Sequence, residues 1–225
     1  MLHVFYFISK KPSLSDEAFH AYWRDVHGPI VKRIPQLDRY LQSHQIAGTS
    51  IGSSYDGAAE AWVEEEKLTA LRESSEYREG ALADEPNFID MARVEWLVTR
   101  DRVILDGPQS ELQVKAISRV KRREGLRVEE FREHWAEIHG PIASRLPGVE
   151  RYVQSTTIDE AYAYAEPRWD GVAQIWTKDL ETLAAMRSCE AYTAEAMPDA
   201  EKFLDTASVA GFAAYEVQVI WPERI

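Results

Sequence analysis

The segment FHAYWRDVHGPI, residues 19–30, returns 112 residues later as FREHWAEIHGPI, residues 131–142. Residues 19–43 and 131–155 align without a gap and are identical at 12 of 25 positions, among them Arg33 with Arg145, Pro35 with Pro147, and RYxQS pentads starting at Arg39 and Arg151. Farther on, DGAAEAW at 56 answers DGVAQIW at 170 and LRESSEY at 71 answers MRSCEAY at 186. The offset drifts by only a few residues, as short loop insertions produce. The chain is an internal duplication, so each half can be read against the other.

In the first half HVFYFI is rich in β-branched and aromatic residues and is followed by KKPS, which reads as a strand and its turn. Ser13 with Asp16, or Ser15 alone, can cap the next helix. Phe19, Trp23, Val26 and His27 fall along one face of it at spacings of three and four. Gly28 is expected to break that helix and Pro29 to open a short successor that ends before Pro35. RYLQSHQI and GAAEAWV make two strands across the loop GTSIGSSYD, a second amphipathic helix covers 65–80, and VEWLVTRDRVIL is a fourth strand. This β-α-β-β-α-β order is the split pattern of a ferredoxin-like unit. The second half repeats it with QVKAISRV, a helix over 128–139, ERYVQSTTI, GVAQIW, a helix over 179–195 and AGFAAYEVQVI. Two helices on one side of a four-stranded sheet leave the other face bare, and a bare apolar face needs burial. The expected fold is therefore α+β: two ferredoxin-like units, 1–108 and 109–225, paired through their sheets as a pseudo-symmetric α/β barrel. Such an intrachain pseudo-dimer leaves further homo-dimerisation open.

Composition narrows the classes of function. The 225 residues are 45% apolar and 28% charged, as in an ordinary soluble protein. A net charge of -12, with the densest basic run only KRRE at 121–124, argues against nucleic acid as a partner. No apolar run reaches the length of a membrane span, so no membrane partner is expected. MLHVFYFISKK has no basic residues ahead of its apolar stretch and reads as a first strand instead of a signal peptide, which makes a reducing cytoplasm the expected compartment. Cys189 is the single cysteine, so no intrachain disulfide can form and no Cys-x-x-Cys pair exists; it reads as a small helical side chain. HxH and HExxH are absent, as are a P-loop, GxGxxG and GxSxG. Haem would need His27 or His139 as axial ligand, with no other porphyrin signal. Neither a metal nor a cofactor is expected.

With its F-x-x-x-W-x-x-x-H-G-P segment, the sequence resembles the EthD-like proteins of the dimeric α/β-barrel superfamily, as a tandem duplication. The similarity covers nearly all of both halves, with the RYxQS and DGxA strands as weaker support. The resemblance implies two ferredoxin-like units joined sheet to sheet, and in many members an active site between the sheet and its helices. Activities in the superfamily are mixed: lactone isomerases, polyketide cyclases and dehydratases, cofactor-free quinol-type monooxygenases, haem-degrading relatives and chlorite-dismutase-like enzymes. It therefore says more about fold than about reaction. Similarity to the methylmuconolactone isomerase-like members carries a histidine at the end of the first helix over to His27 and His139, and a tyrosine of the next strand to Tyr40 and Tyr152.

An imidazole exchanges protons near neutrality and suits enolisation, lactone opening or dehydration. The stripe Phe19, Trp23, His27 would equally be drawn by helix packing, with the histidine capping a helix end. Tyr40, Gln42 and His44 share one strand face by period two, whereas the second repeat offers Tyr152, Gln154 and Thr156. The first site is thus the expected active one, with His27 moving a proton and Tyr40 or His44 steadying oxygen charge. His20 and His134, matched by Arg132 and Tyr22, are expected at the surface. Arg39 and Arg151 can meet a substrate carboxylate or enolate, or pair with Asp25 and Glu137. Trp23, Trp62, Trp96, Trp135, Trp176 and Tyr215 can line an apolar substrate site, although aromatic residues in sheets need no ligand. Asp56 and Asp170, each before a glycine, read as turn residues. The expected function is cofactor-independent acid/base catalysis by an isomerase, cyclase or dehydratase on a small apolar carbonyl, lactone or phenolic compound. The alternatives are a non-catalytic binding or accessory protein of a catabolic oxygenase system, and a cofactor-free quinol-type monooxygenase.

Overall fold

A computed structural model describes residues 1–52 and 54–222. The first repeat runs β1 (Leu2–Ile8), α1 (Asp16–Tyr22), α2 (Gly28–Val31), β2 (Arg39–Gln45), β3 (Gly57–Val63), α3 (Leu68–Glu73), α4 (Leu82–Asp84) and β4 (Glu95–Leu105). The second runs β5 (Val114–Val120), α5 (Val128–Glu133), α6 (Gly140–Ser144), β6 (Arg151–Thr157), α7 (Asp159–Tyr162), β7 (Gly171–Thr177), α8 (Leu180–Ser188), α9 (Met197–Phe203) and β8 (Ala210–Ile220). Both are β-α-β-β-α-β units, and the strands close one antiparallel barrel in the order β1-β3-β2-β8-β5-β7-β6-β4. By contacts the chain forms two compact units. One holds Met1–Gln45, Ser54–Val98 and the chain from Glu216; the other holds the loop from Ile46 and Thr99–Tyr215.

In the first unit the pleat sorts side chains to two faces. Tyr6, Ile8, Tyr40, Ala59 and Ala61 pack under the helices against Phe19, Trp23, Val31 and Phe88. His3, Ser43, Glu60 and Trp62 form a separate buried cluster: His3 stacks on Trp62 at 3.8 Å between ring centres, Ser43 Oγ donates to Glu60 Oε1 at 2.5 Å, and Glu60 Oε2 lies 3.4 Å from His3 Nε2. In the second unit β5, β6 and β7 pack beneath Ala143, Leu146, Leu183, Met186 and Ala196, and Phe131, Trp135 and Phe203 form an adjoining aromatic group.

The repeated segment does something other than break a helix. Ser15 caps α1, its Oγ accepting from the Ala18 N–H at 3.1 Å. Through Trp23–His27 the chain stays helical but widens into a π turn that runs directly into α2, and His134–His139 does the same before α6. Pro29 has no N–H and cannot serve the carbonyl four residues back. The turn before it answers by reaching one residue farther, so that the Gly28 N–H bonds the Trp23 carbonyl and the Gly140 N–H bonds that of Trp135. Each carbonyl then takes a second bond on its remaining lone pair, from Gln42 Nε2 and Gln154 Nε2, both at 2.7 Å. Tryptophan, histidine, glycine, proline and the strand glutamine therefore act as one latch that ties the helix to β2 or β6.

The Asp-Gly pairs complete it. A Cβ on Gly57 would sit 2.5 Å from the Trp23 ring and one on Gly171 2.8 Å from the Trp135 ring, so the indole lies where a side chain would stand. Asp56 Oδ2 accepts the Lys10 N–H and Asp170 Oδ2 the Arg122 N–H, both at 2.8 Å, so each carboxylate ties the start of its strand to the stretch after the first strand of its unit, 46 and 48 residues away, and not to a local turn. The helix expected over 65–80 is interrupted at Ser74, whose extended backbone and Oγ, accepting from the Tyr77 N–H at 3.3 Å, restart the chain into a π segment and α4.

Candidate functional site

His27 leaves the π turn of the first unit toward α4. Its Nδ1 lies 2.9 Å from Asp84 Oδ2, and its ring packs 4.9 Å from that of Phe88. Asp84 also accepts from Tyr22 Oη at 2.7 Å and from Asn87 Nδ2 at 2.9 Å. Burial by itself would raise the Asp84 carboxyl, but the bonds from Tyr22, Asn87 and His27 together hold it below its usual value. A carboxylate can only accept, so Nδ1 carries the proton and, in the neutral ring, Nε2 carries the lone pair. His27 is 4% exposed, and burial outweighs Asp84 and pushes the imidazole pKa down. The ring is neutral at neutral pH.

The second unit carries the same trio. His139 Nδ1 lies 3.1 Å from Asp199 Oδ2, with Phe203 at 5.1 Å between ring centres. The other oxygen of Asp199 meets His134 Nε2 at 3.1 Å, where Tyr22 stands in the first repeat. Burial again lowers the His139 pKa, against the pull of Asp199.

His44 belongs to a different chain of bonds. Its Nε2 is 3.0 Å from Gln42 Oε1 and its Nδ1 is 2.8 Å from Nδ1 of His20. Gln42 donates its amide to the Trp23 carbonyl, so its oxygen must accept, and the tautomers follow: His44 is protonated on Nε2 and His20 on Nδ1. Burial first, then His20 and Arg24, pushes His44 down to about 3, and burial lowers His20 as well. His20 and His134 are accordingly half-buried and bonded, and not the surface residues expected. His20, His27, His44 and His139 all have folded pKa values below the unfolded 6.5, so the unfolded chain binds more protons below that pH and stability falls as the pH drops through it. Changing His44 to threonine, the residue of the matching position 156, is expected to flatten this loss between about pH 6.5 and 4, read from urea midpoints across that range.

Two acidic residues of the site stand in consecutive positions. Glu85 follows Asp84, and its Oε2 accepts from Tyr6 Oη at 3.2 Å. Burial, with a further push from ionised Asp84, raises its pKa to about 7 against the effect of Tyr6. Burial and Glu85 in turn raise Tyr6 and Tyr77.

The other expected site residues divide among several places. Tyr40 is fully buried and bonded to the Trp23 and Gln42 side chains; Tyr152 accepts from Trp135 Nε1 at 3.0 Å, and burial pushes it up to about 12. These tyrosines and tryptophans belong to the latch. Trp62 and Trp176 lie on the opposite sheet face, Trp62 against His3 and Trp176 under Lys115 and Arg151. Trp96 is 62% exposed and Tyr215 is also open to solvent. Arg39 covers Trp221 and Arg151 pairs with Asp106, while Asp25 and Glu137 bond Arg24 and Arg102, so the arginine pairings expected with Asp25 and Glu137 are not made. A surface cleft of about 590 Å³ in the second unit, lined by Lys121, Arg123, Glu166 and Asp205 among others, touches neither histidine. Cys189 accepts the Tyr192 N–H at a helix start. Among the described residues no three His, Cys, Asp or Glu side chains converge to hold a metal ion, and no helix is long and apolar enough to cross a membrane. Asp84, Glu85 and Asp199 are absent from the expected set. Asp84 and Asp199 could have been found, because Asp-x-x-x-Phe recurs as DEPNF at 84 and DAEKF at 199.

The EthD domain profile matches residues 11–92 and again 123–207, and so spans both His-Asp-Phe trios. The chain belongs to the EthD family. No curated protein matches this tandem EthD protein. Solved structures share its fold at low identity. A candidate monooxygenase of Fusobacterium nucleatum subsp. nucleatum superposes with a TM-score of 0.62 at 10% identity, covering 95% of this chain and 91% of its own. An anthrone oxidase-like protein gives 0.58 at 10%, covering 100% and 96%. A chlorite dismutase variant from Candidatus Nitrospira defluvii gives 0.54 at 9%, covering 97% and 92%. At such identities the likeness is one of fold alone.

Proposed function

We propose that this EthD protein is a cofactor-independent acid/base enzyme whose first repeat removes a proton from a small apolar carbonyl, lactone or phenolic compound. The carrying observation is the 2.9 Å bond from His27 Nδ1 to Asp84. It fixes the tautomer with the basic lone pair on Nε2, and the carboxylate steadies the imidazolium that forms when Nε2 takes a proton. The lowered His27 pKa keeps that base unprotonated at neutral pH. Phe88 and the apolar layer beneath the helices supply a water-poor setting in which such charge pairs act strongly. Isomerisation, cyclisation and dehydration all start from this step, as does deprotonation of a quinol ahead of reaction with oxygen.

A second reading, a non-catalytic binding or accessory protein, is favoured by one observation: the trio occurs in both units with its rings packed against phenylalanine, as a helix tether would be. Deuterium exchange separates the two. With cyclohex-3-enone in heavy water, proton NMR is expected to show saturable exchange of the protons beside the carbonyl, with a rate that rises with pH until His27 is fully neutral. A rate equal to that of buffer with this probe, with a butenolide and with a hydroquinone would leave only the binding reading.

A further inference from the structure

The duplication provides an internal control on what the fold requires. The Trp-Gln latch, the aspartate tie before the strand glycine and the His-Asp-Phe trio each appear in both repeats. The Tyr6–Glu85 pair appears once: the matching positions hold Ser118 and Ala200. A buried carboxyl bonded only to a phenol weakens a fold unless it stays protonated, and the second repeat shows that the architecture forms without it. Glu85 is 9% exposed, and among the described residues it pairs with no lysine or arginine. Tyr6 reaches it from the helix-facing side of β1, beside Tyr40, Tyr77 and Ile30 in the same apolar layer. Through Asp84, its neighbour in the chain, it adjoins the group that orients His27.

We propose that Glu85, held by Tyr6, is a second proton-carrying group of the first-repeat site and gives a proton to the substrate at a different atom from the one that His27 deprotonates. This rests on the acid/base reading above and names its substrate class, a cyclic enolisable carbonyl with a double bond one carbon removed from conjugation. His27 Nε2 takes the proton from the carbon between carbonyl and alkene, leaving a dienolate. The Glu85 O–H bond breaks, its proton forms the new C–H bond at the far alkene carbon, and the double bond moves into conjugation. The proton on His27 then returns to Glu85 through solvent, so atoms balance and nothing is oxidised or reduced. One carboxyl that still carries a proton near neutral pH beside another held ionised is the division of labour that such a step needs, and burial, which raises Glu85 to about 7, supports it.

Conversion of cyclohex-3-enone to cyclohex-2-enone tests this when deuterium exchange is followed in the same tube. For Glu85→Gln, which keeps the shape and loses the acidic proton, the ratio of conjugated product to deuterium exchanged is expected to fall about 100-fold or more. For Tyr6→Phe the same ratio is expected to fall less and its pH dependence to shift. Equal losses of exchange and isomerisation in Glu85→Gln would assign Glu85 to the fold, and an unaltered ratio would remove it from the chemistry; either overturns the proposal. Exchange without isomerisation in the wild-type protein would overturn it too while leaving His27 as base. Absence of exchange would defeat the acid/base reading and this proposal with it.

Discussion

Truncating Trp23 to alanine lowers the unfolding free energy by about 3–5 kcal/mol, the range for deleting a large buried aromatic side chain, and Trp135→Ala does the same. Both indoles are 1% exposed. Trp23 packs 5.7 Å from Phe19 and 4.4 Å from His44 between ring centres, and it fills the space above Gly57. Its removal opens a cavity against a sheet that cannot collapse onto it, because β3 pairs on both sides from Gly57 to Trp62. The Trp23 carbonyl keeps its bonds from Gln42 and Gly28 after truncation, while the indole's bond to Tyr40 goes with it, so the loss reports packing together with that one bond. The reciprocal change, Gly57→Ala, fails from the opposite cause: its Cβ meets both the Trp23 ring and the Ser43 carbonyl, at 2.5 and 2.9 Å. Urea titrations of the three variants check the set, and a Trp23→Ala midpoint equal to the wild type would refute the packing account.

The largest effect on rate belongs to the His27–Asp84 pair. His27→Asn is expected to reduce probe exchange by about 10²–10⁴-fold, the usual worth of a positioned general base. Asp84→Asn is expected to lose about 10²-fold or more, since an amide neither fixes the tautomer firmly nor stabilises the imidazolium. In both variants KM is expected to move little while kcat falls. Folding is expected to hold better in His27→Asn than in Trp23→Ala, because the imidazole contributes one ring contact and one hydrogen bond to a carboxylate where the indole contributes a core. His139→Asn is expected to lower exchange far less than His27→Asn. Equal losses would place catalysis in both repeats, and a fall in stability with exchange retained in His27→Asn would make the trio a tether.

Much of this architecture was legible from the matched segments. Two copies of an apolar-polar alternation around two copies of a helical stripe leave few arrangements, and Ser15 caps the first helix as its side chain suggests, whereas Asp56 and Asp170 make long-range bonds that their place before a glycine does not reveal. The π turn was not legible. A tryptophan, a histidine and a Gly-Pro at fixed spacing describe a stripe, but the carbonyl whose partner shifts by one residue is also held by a glutamine about 19 residues on, in another element. The carboxylates were missed for a related reason. Asp84 and Asp199 lie beyond the expected helix ends at 80 and 195, in stretches that carry no stripe, and they matter only because the fold returns them to the first helix of their own repeat. The asymmetry between His44 and Thr156 is legible, but the sequence places its partner His20 at the surface because helix periodicity cannot show a ring across the gap to β2.

The position shared by Tyr22 and His134 shows what fusing two copies permits. Each residue steadies the same carboxylate oxygen, one as a phenol and the other as an imidazole. In an assembly of two identical subunits every substitution is made twice, and a residue that suits one site is imposed on the other. Joined in a single chain, the copies drift separately: one can keep the shared scaffold and act as a passive buttress, while its twin accumulates the acids, phenols and paired rings of a working site.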